Sequence, residues 1–421
     1  MAGSAYKLTR SGKPLRRADG TYIWCAEYLD AAGKRVTKST FRSERQAKDF
    51  LASTRVSVRD GTHTPDRDSI TVALGADLWV KARKADKDEG DLERSSYVKY
   101  EQHVRIYIKP KLGHLKLSQL RRQDVIGFLD AVRAGVSDAM AKRCHSDLKA
   151  ILDHAMDIGK IAQNVALTVR RRRSKKRQRE HAVSKRWQAG VDFPTEGEAL
   201  QMLSLARNPP RPDKNHAPFS WRRHGWHVLY ATVLETGARI SELRGLPWLS
   251  VDHSKQRLTI EQRADEWGEI GAPKTVNSVR TIAISEALTK EFEGWLAEQP
   301  AAAREAKGLV FPNGRGNAES VQNLYARFLH PLQVAAGCTR VDEAGEVVPK
   351  YGWHAFRHYV ASKRIAAGWD VVRVADLLGH SDPNTTLRYY AHMFDAAAAE
   401  REAQNGATPE NSQNSGLKLA V

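Results

Sequence analysis

Several residues in the second half of the chain belong to anion-binding or proton-moving types and recur at short, regular spacings. Arg239 and Glu242 stand three apart in TGARISELRGL, after a glycine that lets the chain turn. Lys274 falls between two strand-like runs in GAPKTVNSVRTIAI. His354 and Arg357 are again three apart in WHAFRHYVASKRI, with His358 one turn beyond His354. LLGHSDPNTTLRYYAH then brings His380 and two adjacent tyrosines, Tyr389 and Tyr390. Residues three apart on a helix share a face. An arginine held there by a neighbour can aim its planar fork at an anion.

Taken singly, each stretch has a plainer reading. Arg239 with Glu242 is a structural salt bridge, Lys274 a surface lysine, and the tyrosines packing aromatics. The histidines at 354 and 358 have zinc-binding spacing, but the glutamate of HExxH is missing and an arginine stands between them. Taken together, the set supplies two arginines, a lysine, two histidines and a tyrosine, without a carboxylate pair to chelate a metal. That combination suits phosphoryl transfer in which cationic side chains stabilise the phosphate and a side-chain oxygen attacks it. No metal and no cofactor are expected.

These groups need a scaffold, and the sequence indicates a mainly α chain with small β-sheets (α+β). Residues 1–62 read as a small α+β unit, with strands in GTYIWCAEYLD and KRVTKSTF and a helix opened by Ser43 and Gln46. HTPDRDSI reads as a linker. Apolar periodicity then predicts an almost wholly helical domain over 69–169, punctuated by Gly113, Gly135 and Gly159. Eight of the ten residues in RRRRSKKRQR, 170–179, are cationic. Such a block repels itself and stays extended, so 170–189 reads as an interdomain linker. A last domain, 190–395, opens on the capping box Thr195 to Glu198. Its helices are predicted at 197–206, 223–235, 239–245, 286–298, 320–336, 354–366, 370–378 and 384–392. Three strands are predicted in QRLTIEQRAD, EWGEIGAP and SVRTIAIS, forming one antiparallel sheet. Residues 396–421 read as a C-terminal tail with little to bury.

Charge narrows the partner. Sixty-seven Lys and Arg against 49 Asp and Glu give a net +18, and the excess is clustered, which favours nucleic acid. Arg170, Arg171, Arg172, Arg173, Lys175, Lys176 and Arg177 are candidates to lie along a phosphate backbone. No apolar run approaches the ~18–20 residues that span a bilayer, and no secretory signal is evident at the N-terminus. Three scattered cysteines (Cys25, Cys144, Cys338) fit a reducing compartment without a disulfide framework.

The order Arg, Lys, His-x-x-Arg, Gly-His, Tyr at these spacings resembles the tyrosine recombinases, the phage integrase family, over nearly the whole chain. The resemblance implies an arm-type DNA-binding domain at 1–62, a core-binding domain at 69–169 and a catalytic domain at 190–395. Arg239 and Arg357 would clamp the scissile phosphate, with Glu242 orienting Arg239. Lys274 would donate a proton to the leaving 5′-hydroxyl, His354 would act as acid/base and phosphate ligand, and His380 as a hydrogen-bond donor. Family members commonly follow the nucleophile with one residue and a histidine. Tyr390-Ala391-His392 fits that pattern; the tyrosine is mostly protonated at neutral pH, and the two arginines and the nearby histidine would favour its phenolate as it attacks. Expected partners are double-stranded DNA at core and arm attachment sites, four protomers on that DNA, and accessory DNA-bending or directionality proteins. The implied compartment is the bacterial cytoplasm, at the nucleoid. A type IB-like topoisomerase and a non-catalytic DNA-binding regulator are the alternatives. The insertion ARNPPRPDKNHAPFSWRRHG and the loop TRVDEAGEVVPKYG depart from the simplest family pattern.

Overall fold

The computed structural model describes residues 3–30, 33–61, 63–66, 69–169, 187–208, 222–273, 278–299 and 308–404. The chain divides into two compact units, Met1–Arg173 and Ser174–Val421. Among the described residues no helix is long and apolar enough to cross a membrane. The three cysteines are buried and unpaired with one another.

The first unit holds two separate cores. In the first, strand Trp24–Leu29 pairs antiparallel with Ser4–Lys7 on one side and Arg35–Phe41 on the other. Alternation along the strands turns Ala26, Tyr28 and Val36 inward, where Ala47, Leu51 and Val58 of the helix Glu44–Arg59 cover them. Ser4–Lys7, not among the sequence expectations, is the third strand; it is too short and too mixed in polarity to stand out. The second core is helical. Helices Val72–Glu89, Arg122–Gly135 and Asp138–Asp157 bury Trp79, Phe128, Leu148 and Ile151. Within it His103 and Asp147 form a buried pair at 2.6 Å.

Asp66, in the stretch read as a linker, ties these two cores together. Its carboxylate accepts from Lys38 (2.8 Å) on the sheet and from Ser118 (2.8 Å) and Gln119 (3.1 Å) on the helical side. Partial burial pushes its pKa up, but those hydrogen bonds outweigh burial and hold it down at about 2.

The second unit is built on one large core in which Tyr230, Phe292, Trp295, Phe328 and Phe356 interlock. Its three-stranded antiparallel sheet has the order Arg280–Ala283, Arg257–Ile260, Val251–Asp252. The sequence expectation is corrected in one member. EWGEIGAP does not join this sheet; Ile270–Gly271 folds back on Arg263–Ala264 as a separate hairpin. The turn has its own hydrogen bonds, from Asp265 to Glu269 and within Asp265-Glu266-Trp267, and Gly268 supplies a φ of +87°. Val251–Asp252, two residues long, takes the place of the expected strand. TRVDEAGEVVPKYG, read as a loop, contains the hairpin Thr339–Val341 with Val347–Pro349.

The last helix is also longer than expected. It runs Pro383–Gln404 rather than 384–392, taking in the start of the segment read as a tail. The run DAAAAEREAQ is rich in strong helix formers, and Ala397 is buried beside Ile365. Residues 405–421 lie outside the described residues.

Candidate active site

Arg239 is not on the helix face the sequence suggested. It is the N-cap of the five-residue helix Ile240–Arg244, in extended conformation. From there it meets Glu242 twice: its backbone N–H donates to Oε2 (2.9 Å) and its guanidinium to Oε1 (2.8 Å). Glu242 is 2% exposed, and a second guanidinium, Arg280 on the sheet, donates to both of its oxygens at 3.2 and 2.8 Å. Burial alone would raise the pKa of Glu242, but Arg280, then Arg239, hold it below the usual carboxylate range. Arg280 also donates to the carbonyls of Leu377 (2.8 Å) and Ser278 (2.9 Å), joining the sheet to the end of the helix Val371–Leu378. Arg280 was missed in the sequence because a single arginine in a strand carries no spacing signal.

Arg357, on the helix Trp353–Ala366, is 2% exposed. Its guanidinium donates to the carbonyl of Gly237 (3.0 Å) and to that of Leu378. Among the described residues no carboxylate pairs with it. Burial, then the charge of Arg239, lower its pKa to about 9, so it remains a cation at neutral pH. Two glycines make the arrangement possible. Gly237 (φ +63°) turns its carbonyl to Arg357, and Gly379 (φ +64°) ends the helix Val371–Leu378 and offers its carbonyl to Arg239 at 3.5 Å. A Cβ at 379 would stand 2.8 Å from the Arg280 guanidinium, so only glycine fits there.

A cavity of about 280 Å³ opens beside these cations, lined by Arg239, Glu242, Arg263, Ser278, Gly379 and His380 among others. His380 follows Gly379 and has Nδ1 2.8 Å from the hydroxyl of Thr386, which is fully buried. Burial, then Arg357 and Arg239, bring its pKa to about 4, so the ring is neutral at physiological pH. His354 shows one face to solvent while its back is packed. That partial desolvation, then Arg357 and Arg239, lower its pKa too.

The two tyrosines part ways. Tyr390 is 1% exposed, packed with Ile365, Val374 and Leu378, and its hydroxyl is 2.5 Å from Nδ1 of His358. Tyr389 is 43% exposed, with its ring edge toward Trp187. Tyr390 rests as a neutral phenol, as a tyrosine at neutral pH is expected to. Burial raises its pKa more than Arg357 lowers it, so the resting hydroxyl keeps its proton. His358, weighed in the sequence only as a metal partner for His354, proves to be the group on the phenol. Trp187 was missed altogether; its indole stacks on the His358 ring with centroids 4.0 Å apart.

The structure thus brings together Arg239, Glu242, His354, Arg357 and His380, with Tyr390 on the packed side of the cluster. Lys274 and the basic residues Arg170, Arg171, Arg172, Arg173, Lys175, Lys176 and Arg177 lie outside the described residues. Two guanidiniums share one carboxylate and a third, Arg357, pairs with none among the described residues, leaving excess positive charge around a small cavity. That is a site of the phosphoryl-transfer class, built to bind an anion with fixed donors.

Comparison with known proteins agrees with this chemistry. Residues 224–396 match the phage integrase family. A XerC-like tyrosine recombinase of Caldanaerobacter subterraneus is 26% identical over 323 residues, covering 71% of this chain and 74% of its own. An integrase of Streptomyces ambofaciens is 24% identical over 378 residues, 86% of each chain. The solved structure of the Tn1549 transposon integrase in complex with transposon right end DNA has the same fold. Its TM-score is 0.58 at 18% identity, over 80% of this chain and 100% of that one. Residues 224–396 thus form a phage integrase family domain, and the similarities to tyrosine recombinases and integrases extend beyond it.

Proposed function

We propose that the protein is a site-specific DNA recombinase that integrates or excises a mobile element, such as a prophage or an integrative conjugative element. In this reading Tyr390 attacks a DNA phosphate, forming a 3′-phosphotyrosyl link and freeing a 5′-hydroxyl. A 5′-hydroxyl from a partner strand reverses the step, so bond energy is conserved without ATP. Arg239 and Arg357 clamp the phosphate, and Glu242 orients Arg239. His354 serves as acid/base and His380 as a donor, its Nε2–H freed when the Thr386 hydroxyl donates to Nδ1. Lys274 protonates the leaving oxygen.

The observation that carries this reading is Arg357. Burying a guanidinium without a counter-charge is costly, and the expense is rational where an anionic substrate completes the pair. The net +18 and the basic stretch 170–179 fit a polyanionic partner. By the same reading residues 1–62 bind arm sites, 69–169 bind core sites, and 170–189, which link 69–169 to the catalytic domain, lie along the phosphate backbone. Four protomers assemble on DNA in the cytoplasm, at the nucleoid, with bending or directionality proteins assisting.

A nicked suicide substrate tests it. Incubation with the full chain should trap a covalent protein–DNA adduct, and adding a second duplex with a free 5′-hydroxyl should release exchanged product. An adduct without exchange between duplexes would leave a strand-relaxing enzyme instead. No adduct at all would leave a DNA-binding regulator.

A further inference from the structure

The Tyr390 hydroxyl is buried against His358 at 2.5 Å, and Tyr390 is not among the residues lining the cavity beside Arg239. His358 is itself held on several sides. The Trp187 indole lies on it at 4.0 Å between centroids with planes 26° apart, and the His354 ring stands edge-on at 5.5 Å. Trp187 is fastened in turn to the last helix, where His392 Nε2 is 3.4 Å from its carbonyl oxygen. The imidazole is therefore locked in one orientation with Nδ1 toward the phenol.

We propose that His358 is the base that removes the Tyr390 proton during strand cleavage, and the acid that returns it during rejoining. The proposal rests on Tyr390 being the nucleophile. In cleavage the Tyr390 oxygen forms a bond to phosphorus and the bond from phosphorus to the 5′ oxygen breaks. The phenolic proton passes to His358 Nδ1, and the leaving 5′ oxygen takes a separate proton from a donor on the cavity side. In rejoining the 5′-hydroxyl attacks, the bond to Tyr390 breaks, and Nδ1–H protonates the departing phenolate.

The other two histidines fit this role less well. His380 has Nδ1 engaged by Thr386 at 2.8 Å, and His354 faces solvent. The surroundings of His358 also explain why the base is idle until DNA arrives. His354 and Arg357 face it from its own helix, His380 from the turn after Leu378, Asp192 from the segment before the helix Glu196–Ala206, and both tyrosines from the last helix. Burial, then His354 and Arg357, lower its pKa to about 4, leaving a neutral ring with a free lone pair for the phenol. A phosphate seated on Arg239 and Arg357 adds negative charge beside the imidazole, which favours the imidazolium. Substrate binding itself thus raises the proton affinity of the base.

The test is single-turnover cleavage of a nicked substrate by the full chain and by His358→Asn, whose side-chain oxygen still accepts the phenol hydrogen bond but takes no proton. General-base loss of this kind costs about 10²- to 10⁴-fold. The deficit near neutral pH should be of that size and should shrink about tenfold per unit as pH rises, because hydroxide replaces the base. Placing sulfur at the 5′ bridging position removes the need for a leaving-group proton, and the His358→Asn deficit should persist on that substrate. A deficit of constant size across pH, or one erased by sulfur, overturns the proposal. The unaltered protein gives an independent reading: on the sulfur substrate a solvent deuterium isotope effect should remain, and its absence overturns the proposal. The underlying reading fails separately, if Tyr390→Phe still forms adduct.

Discussion

Replacing Arg280 by glutamine should both loosen the second unit and slow cleavage. Its guanidinium makes two hydrogen bonds to Glu242, at 3.2 and 2.8 Å, and one each to the carbonyls of Leu377 and Ser278. Removing one partner of a buried ion pair costs about 3–5 kcal/mol. Glu242 keeps Arg239 at 2.8 Å and its backbone N–H at 2.9 Å, which favours the lower end. For a unit of this size each kcal/mol moves Tm by about 2–4 °C, so a loss of about 3 kcal/mol is a drop of about 6–12 °C. Calorimetry on the full chain resolves that shift in the transition assigned to the second unit. Cleavage should fall as well, because Arg280 also braces the helix end that leads to Gly379 and His380, whereas DNA binding at low salt should hold. A Tm drop under about 2 °C, with cleavage unchanged, would refute the view that Arg280 organises the arginine pair.

Other expectations follow from the same geometry. Arg357→Ala should reduce the cleavage rate by about 10²- to 10³-fold, the loss of a fixed oxyanion donor, with gel-shift affinity nearly unchanged because most contacts lie elsewhere; wild-type cleavage would make Arg357 structural. Because the stabilising cations are side chains, adduct formation should persist in excess EDTA, and its loss with rescue by Mg²⁺ would count against the mechanism. Asp66→Asn should weaken the attachment of the N-terminal sheet to the helical bundle, seen as faster hydrogen exchange across 35–41. Since folding depresses the pKa of Asp66 to about 2, the stability it contributes is complete above about pH 4 and is lost as pH falls toward 2.

Much of the site was legible in the sequence because helical spacing is local. His354 and Arg357, and the Gly379-His380 turn, sit where a 3.6-residue period and a left-handed glycine cap put them. Arg280 and Trp187 were not legible, because each acts across a long sequence separation. Arg280 reaches Glu242 38 residues away, and Trp187 reaches the last helix. The burial of Tyr390 escaped the sequence for a related reason: charged neighbours can be counted in a sequence, but the burial that outweighs them in the resting state depends on Ile365, Val374 and Leu378 closing around the ring. In the sheet, EWGEIGAP alternates well enough for a strand, but the hydrogen bonds of its own turn decided its partner.

The central claim is that the buried Tyr390, rather than its exposed neighbour, is the nucleophile. A nicked suicide substrate run on a denaturing gel with Tyr390→Phe and Tyr389→Phe addresses it directly. Both substitutions keep the ring and its packing and delete one oxygen. Tyr390→Phe should bind DNA and give no covalent adduct, while Tyr389→Phe should still give it. Adduct in Tyr390→Phe with none in Tyr389→Phe would move the nucleophile one residue upstream. Adduct in both would contradict the tyrosine mechanism.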